Sequence, residues 1–242
     1  MHADSDTKRP TIPLERMETV DVLACVEPFV AARLPELELL GRTAVRLRKA
    51  PGSVLVSEGQ APDGLYIVLR GRVNLLRAAD GGRDLILAAL GPGEVFGEAC
   101  AFPGVPMSTT AVAAVQSELL RVSPDALVDH LRREPETVLR LMRLQGDKLR
   151  EVEAVASGLA LCDVEERLRR TLARLARRQG RRGPASVGWI LAPVPTQSEL
   201  ARMVGSCRET VSRTLSAMAR SGLVSASGRR MLLDDRIVNE AA

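Results

Sequence analysis

The chain has 242 residues, of which 45% are apolar, and 34 Lys and Arg against 30 Asp and Glu leave a net charge of +4. That length suffices for two domains with real cores, and no apolar run approaches the ~20 residues that cross a bilayer, so no membrane partner is expected. Four cysteines without a CxxC pair and two histidines argue against a metal centre and suit a reducing cytoplasm.

In chain order, residues 1–17 are polar and aperiodic and read as a tail. Glu18 to about Leu40 reads as helix in pieces, broken at Pro28 and Pro35. From Val45 the pattern becomes that of strands: Val45–Leu47, Val54–Val56, Leu65–Leu69, Val73–Leu76 and Leu85–Ala89. Turns at Pro51-Gly52, Asp63-Gly64, Asp80-Gly81-Gly82 and Gly91-Pro92-Gly93 separate them, and Val112–Ala114 and Glu118–Val122 complete the set. Many short strands with regular turns predict a small antiparallel barrel or jelly roll within residues 18–134.

Ser123 before Pro124 opens a helix, and Pro135 opens a longer one over residues 135–162. On it Val138, Met142, Gln145, Leu149, Val152, Ala156 and Leu159 recur at spacings of four and three, a heptad seam. Such a seam suits either a core helix or the contact between two copies. Its length favours a homodimer, with Gln145 as the polar member that fixes register. Asp163 reads as the N-cap of a helix from Val164 to about Arg178, Gln179–Ala185 as a loop, and Trp189–Leu191 as a strand.

Thr196–Met218, TQSELARMVGSCRETVSRTLSAM, reads as two helices joined by a turn. Thr196 followed by Glu199 is a capping-box start. Leu200, Met203 and Val204 line one apolar face, Val211 and Leu215 another, and Gly205-Ser206 sits at the bend. The second helix then presents Arg208, Glu209, Ser212 and Arg213 outward, as a helix-turn-helix presents base-reading residues to the major groove. Arginine matches the two acceptors of guanine, and glutamate accepts from the cytosine amino group. Leu223–Ser225, a turn at Ser227-Gly228-Arg229 and Met231–Leu233 read as a two-stranded wing. The charge agrees: residues 1–163 carry 19 positive and 23 negative side chains, residues 164–242 carry 15 and 7, so one domain is suited to phosphates. With only Phe29, Tyr66, Phe96, Phe102 and Trp189 as aromatics, stacking on single-stranded bases is the poorer alternative to double-stranded DNA. A rival reading makes the C-terminal domain a protein-interaction surface. An enzyme finds no nucleophile–base set or metal cluster to build on.

The order of parts resembles the catabolite-activator (CRP/FNR) family of bacterial transcription regulators. The resemblance rests on DGLYIVLRGRV (Asp63–Val73), GEVFGEACAF (Gly93–Phe102), and LCDVEERL followed by GSCRETVSRTL. It implies an α+β chain: a tail (1–17), a cyclic-nucleotide-binding-like antiparallel β-barrel (18–134), a dimerisation helix (135–162) and a winged helix-turn-helix (163–242). It gives base-reading positions to Arg208, Glu209 and Arg213 and phosphate positions to Thr196, Cys207 and Thr210, with Gln197, Ser198 and Ser212 completing the DNA-facing set. Cys207 stands where a serine is common and Gln197 where an arginine is. RNA polymerase is a further candidate partner.

In the ligand cassette that the resemblance implies, Gly97 and Glu98 match the glutamate half, but Ser108 stands at the arginine position, followed by Thr109. Val152 and Glu153 replace the small hydroxyl residues that face an adenine. A phosphate beside Glu98 without a counter-cation would be costly, which argues against cyclic AMP. Two expectations stay open: another effector, such as cyclic di-GMP, or no cofactor and no ligand at all.

Overall fold

A computed structural model describes residues 12–79, 83–183 and 188–240. Its mix of helix and sheet agrees with the expected α+β class. The chain divides into two compact units: Met1–Val73, Leu90–Met107 and Ala113–Gln145 form one, and Asn74–Ala89, Ser108–Val112 and Gly146–Ala242 form the other.

In the first unit, a 3-10 turn (Leu14–Arg16) precedes α1 (Thr19–Cys25) and α2 (Leu34–Thr43). The segment read as tail therefore ends in structure, with Leu14 buried at 6% exposure, while residues 1–11 lie outside the described residues. Pro35 does not break a helix but sits in the first turn of α2, where its missing N–H leaves no hydrogen bond unmade. Strands β1 (Val45–Lys49), β2 (Val54–Val56) and β3 (Leu65–Arg70) follow.

β4 (Val73–Ala79) and β5 (Arg83–Leu90) then run through the second unit, and the turn expected at Asp80-Gly81-Gly82 lies outside the described residues. Back in the first unit come β6 (Val95–Phe96), which has no counterpart in the sequence reading, and a 3-10 turn over Glu98–Ala101. β7 (Thr110–Ala113) belongs to the second unit up to Val112, and β8 (Ser117–Val122) to the first.

One sheet has the order β1-β8-β3-β6, all antiparallel, with Ile67 opposite both Val95 and Leu120. In another, β7, β4 and β5 are neighbours in that order. Among the described residues the strands thus fall into separate sheets that hydrogen bonds do not close into a barrel.

α3 (Pro124–Arg133) begins as expected, with the Ser123 hydroxyl accepting from the Ala126 amide at 3.4 Å. The core of this unit combines Leu23, Phe29, Leu37 and Leu40 with Leu65, Ile67, Leu120 and Leu127. Arg33 to Glu134 (2.6 Å), Arg133 to Glu36 (2.7 Å) and Arg140 to Glu27 (2.8 Å) stitch its surface.

The long helix α4 (Pro135–Leu161) runs into the second unit. There Asp163 caps α5 (Val164–Gln179), accepting from the Glu166 amide at 2.8 Å. β9 (Arg181–Arg182) occupies part of the stretch expected to be loop, because its backbone pairs with β10 (Trp189–Leu191); Ala185 lies outside the described residues. After α6 (Gln197–Val204) and α7 (Arg208–Arg220) come β11 (Val224–Ser227), β12 (Arg230–Leu233) and α8 (Asp235–Glu240). The last helix has no counterpart in the sequence reading. The sheet order is β11-β12-β10-β9. One apolar cluster gathers Leu168, Leu172, Leu191, Leu200, Val204, Val211, Met218, Leu233 and Ile237, together with Ile86 and Ala89 of β5. Among the described residues no helix is long and apolar enough to cross a membrane.

His130 is buried at 1% exposure, edge-on to Phe29 at 5.5 Å, with Nε2 at 3.2 Å from the Thr137 hydroxyl. Burial holds its pKa below the ordinary histidine value, against the opposing pull of Glu134 and Glu36. The fold therefore keeps a neutral imidazole, and as pH falls below about 6.5 the unfolded chain takes up the proton first. Stability should be lost progressively from that pH downward, and the slope of unfolding free energy between about pH 7 and pH 5 should be shallower in His130→Asn, as measured by urea denaturation.

Candidate nucleic-acid interface

The pair α6–α7 is built from its first residue. Thr196 has extended backbone, and its hydroxyl accepts from the Glu199 amide at 3.2 Å. The Glu199 carboxylate accepts in return from the Thr196 amide at 2.8 Å, so two otherwise orphaned backbone donors are satisfied. α6 buries Leu200, Ala201, Met203 and Val204, each at 4% exposure or less.

Gly205 then takes φ +60, a left-handed conformation that stops the helix, and its carbonyl-side neighbour Ser206 donates its amide to Ala201 at 3.0 Å. A Cβ on Gly205 would also lie 2.7 Å from Leu159 Cδ2 of α4. The backbone conformation therefore selects glycine, while the tip of the Leu159 side chain could move aside.

α7 starts at Arg208 with Cys207 as N-cap, and no side chain caps it there. Its inward positions are Val211 (0% exposed), Leu215 (8%) and Met218 (1%). Arg208, Glu209 and Arg213 are exposed, as are Thr196, Gln197, Ser198 and Cys207, while Thr210 and Ser212 are half-buried. All nine residues singled out for DNA thus belong to one helix pair, and none of the three base-reading candidates is spent on the core.

The Thr210 hydroxyl lies 3.1 Å from Cys207 Sγ and accepts from Arg213 Nη2 at 3.5 Å, which arranges Cys207, Thr210 and Arg213 along one helix face. The backbone N–H of Glu209 itself, the Cys207 thiol and then Arg208 hold the Glu209 carboxyl below the usual carboxylate range, so it is an anion and a pure acceptor at neutral pH. In the wing, Gly228 turns the chain at φ +56 and leaves Arg229 and Arg230 exposed at the tip.

The cassette residues fall in both units. In the first, Gly97 has φ +84, and a Cβ there would lie 2.5 Å from the Gly64 carbonyl oxygen, so the turn requires glycine. Glu98 opens the 3-10 turn, and its Oε1 accepts from Gln145 Nε2 of α4 at 2.6 Å. The neighbouring Cys100 thiol is pushed up to about 12 by burial, with Glu98 and Asp63 adding to the effect. In the second unit, Ser108, Val152 and Glu153 are exposed, and Thr109 is 8% exposed.

A model of the cyclic nucleotide-binding domain matches residues 46–134, and one of the Crp-like helix-turn-helix domain matches residues 166–237. A CRP-like cAMP-activated global transcriptional regulator of Mycobacterium tuberculosis is 32% identical over 186 residues, which span 76% of this chain and 81% of that protein. The chain belongs to the CRP/FNR family. It is a DNA-binding transcription regulator of that family, with the fold the family shares. FixK2 from Bradyrhizobium japonicum superposes with a TM-score of 0.71 at 24% identity, covering 81% of this chain and 96% of FixK2. The c-di-GMP responsive global regulator CLP of Xanthomonas campestris gives 0.68 at 26% identity, covering 83% and 99%.

Beside the CRP/FNR pattern, sequence reasoning missed two contacts. One is the Gln145–Glu98 hydrogen bond, since the heptad position of Gln145 pointed to the seam. The other is a hydrogen bond from Asn74 Nδ2 of β4 to Glu199 Oε1 at 3.1 Å, for which an asparagine inside a strand offers no signal. From the turn geometry, Gly205→Ala should lower the unfolding free energy by about 1–3 kcal/mol, the cost of a non-glycine left-handed residue. Thermal denaturation of the full chain measures it.

Proposed function

We propose that this protein works in the bacterial cytoplasm as a homodimeric, sequence-specific regulator that reads an inverted repeat. One α7 enters the major groove at each half-site, about one helical turn apart. The observation that carries the reading is the division of α7: Val211, Leu215 and Met218 inward, Arg208, Glu209 and Arg213 outward at its N-terminal end. Thr196, Cys207 and Thr210 meet phosphates, with Gln197, Ser198 and Ser212 beside them. The functional divisions are the nucleotide-domain-like region 18–134, the dimer helix 135–162 and the DNA-binding domain 163–242.

The homodimer is supported by α4, where Met142 (66%), Leu149 (59%), Val152 (43%) and Leu159 (38%) stand exposed at heptad spacing. A second α4 would cover them. RNA polymerase is the further partner through which such a dimer acts on transcription.

The dimer binds DNA without cyclic AMP. Ser108 supplies no cation for a cyclic phosphate, Glu153 adds a carboxylate, and Glu98 is already engaged by Gln145. The second reading, an effector such as cyclic di-GMP, is favoured by the structural likeness to the c-di-GMP responsive regulator CLP of Xanthomonas campestris.

Titration of the ligand-free protein against a palindromic duplex at fixed salt tests both, repeated with cyclic AMP, cyclic GMP and cyclic di-GMP. Tight binding that no nucleotide changes is the expected result. Weak binding rescued by one nucleotide would overturn ligand-independence and name the effector. Arg208→Ala should weaken specific binding by roughly 1–3 kcal/mol and relax preference at one guanine. Because the Glu209 carboxyl is held ionised, the base preference that Glu209→Gln removes should stay constant in the parent from about pH 8 to pH 5, where an ordinary carboxylate is still ionised. Selection from a randomised duplex pool reads both effects.

A further inference from the structure

The hairpin β4–β5 shares a compact unit with the helix-turn-helix. Two polar contacts tie it to α6. Asn74, 3% exposed, donates Nδ2 to Glu199 Oε1 at 3.1 Å, and Arg202 Nη1 donates to Asp84 Oδ2 at 3.2 Å. The Ala89 carbonyl accepts from Gln179 Nε2 of α5. Ile86 (1% exposed) and Ala89 (7%) enter the same core as Leu172, Leu175 and Met203.

We infer that Asn74 and Asp84 are positioning residues for DNA reading: they fix the direction of the α6–α7 pair, and thereby the half-site spacing that the dimer accepts, without touching DNA. The inference rests on the homodimeric reading above. Its geometry is that of two anchors on one helix. Glu199 and Arg202 are three residues apart, hence neighbours on one face of α6. Holding both fixes the axis of the helix and its rotation.

Glu199 is also the capping residue of α6. One oxygen holds Thr196, the residue that opens the helix, and the other is held by the hairpin. α7 shares its apolar core with α6, so a tilt of α6 carries the recognition helix with it. The anchored face is the inward one: Glu199 is 8% exposed and Arg202 half-buried, whereas Arg208, Glu209 and Arg213 lie on exposed positions of the next helix. Loss of the anchors should therefore leave the reading of one half-site intact and loosen the relation between two.

The test compares the full-length parent with Asn74→Ala, Asp84→Arg and the exchanged pair Asp84→Arg/Arg202→Asp. Each is titrated against a duplex with one half-site and against inverted repeats of the preferred spacing and of one base pair more and less, with melting curves alongside. We expect affinity for the single half-site to stay within about twofold. The preference for the correct spacing should fall about tenfold, the scale of losing one hydrogen bond to a carboxylate, and the exchanged pair should restore it.

Unchanged spacing preference in Asn74→Ala and Asp84→Arg would overturn the inference. So would an equal loss on all duplexes, which marks a merely structural role. If the parent itself gains nothing from a second half-site, the homodimeric reading falls together with this one. If the parent gains and the variants keep that gain, only the positioning role falls.

Discussion

A buried carboxylate needs donors, and the second unit is arranged to supply them to Glu199. Removed from water, an ionised oxygen without hydrogen bonds would cost several kcal/mol. Here one oxygen receives the Thr196 amide and hydroxyl, and the other receives Asn74. Meeting that requirement starts α6 at one residue and in one direction. Gly205, confined by its left-handed backbone, then sets the turn, and the apolar faces of α6 and α7 do the rest. The exposed arginines and Glu209 at the start of α7 stand where they do because of these inward constraints.

Much of this was legible in the sequence because it is local. A capping box spans four residues, a helical face repeats every three or four, and a glycine at a bend announces itself. The same holds for Asp163 at the head of α5 and Ser123 at the head of α3. Elements shorter than a repeat were not legible: Val95–Phe96 and Arg181–Arg182 form strands only because another backbone lies beside them. Pro35 was ambiguous in principle, since proline is compatible with the first turn of a helix as well as with its end.

The larger illegible feature is the choice of partner. A pattern of apolar residues says that Leu85–Ala89 has a face to bury, not which elements will bury it. Its place beside α5 and α6 brings Asn74 and Asp84 to Glu199 and Arg202, pairs separated by more than a hundred positions. Gln145 illustrates the same point from another side. Its place in the heptad suggested a register-fixing residue, whereas in the single chain its amide serves the Glu98 carboxylate, the group on which the family resemblance would seat a ligand.

The hairpin also constrains the order in which the protein can be completed during synthesis. Asn74 and Glu199 are 125 positions apart, and Ile86 lies in one core with Ile237 and Val238 near the other end of the sequence. That core cannot close while its last helix is still within the ribosome, so β4 and β5 emerge long before the surface that covers Ile86 exists. Contacts of such long sequence separation are slow to form, and apolar strands awaiting them are the segments most exposed to wrong pairing. For this chain the core behind the recognition helix therefore closes late, and its yield depends on how well β4 and β5 are shielded in the interval.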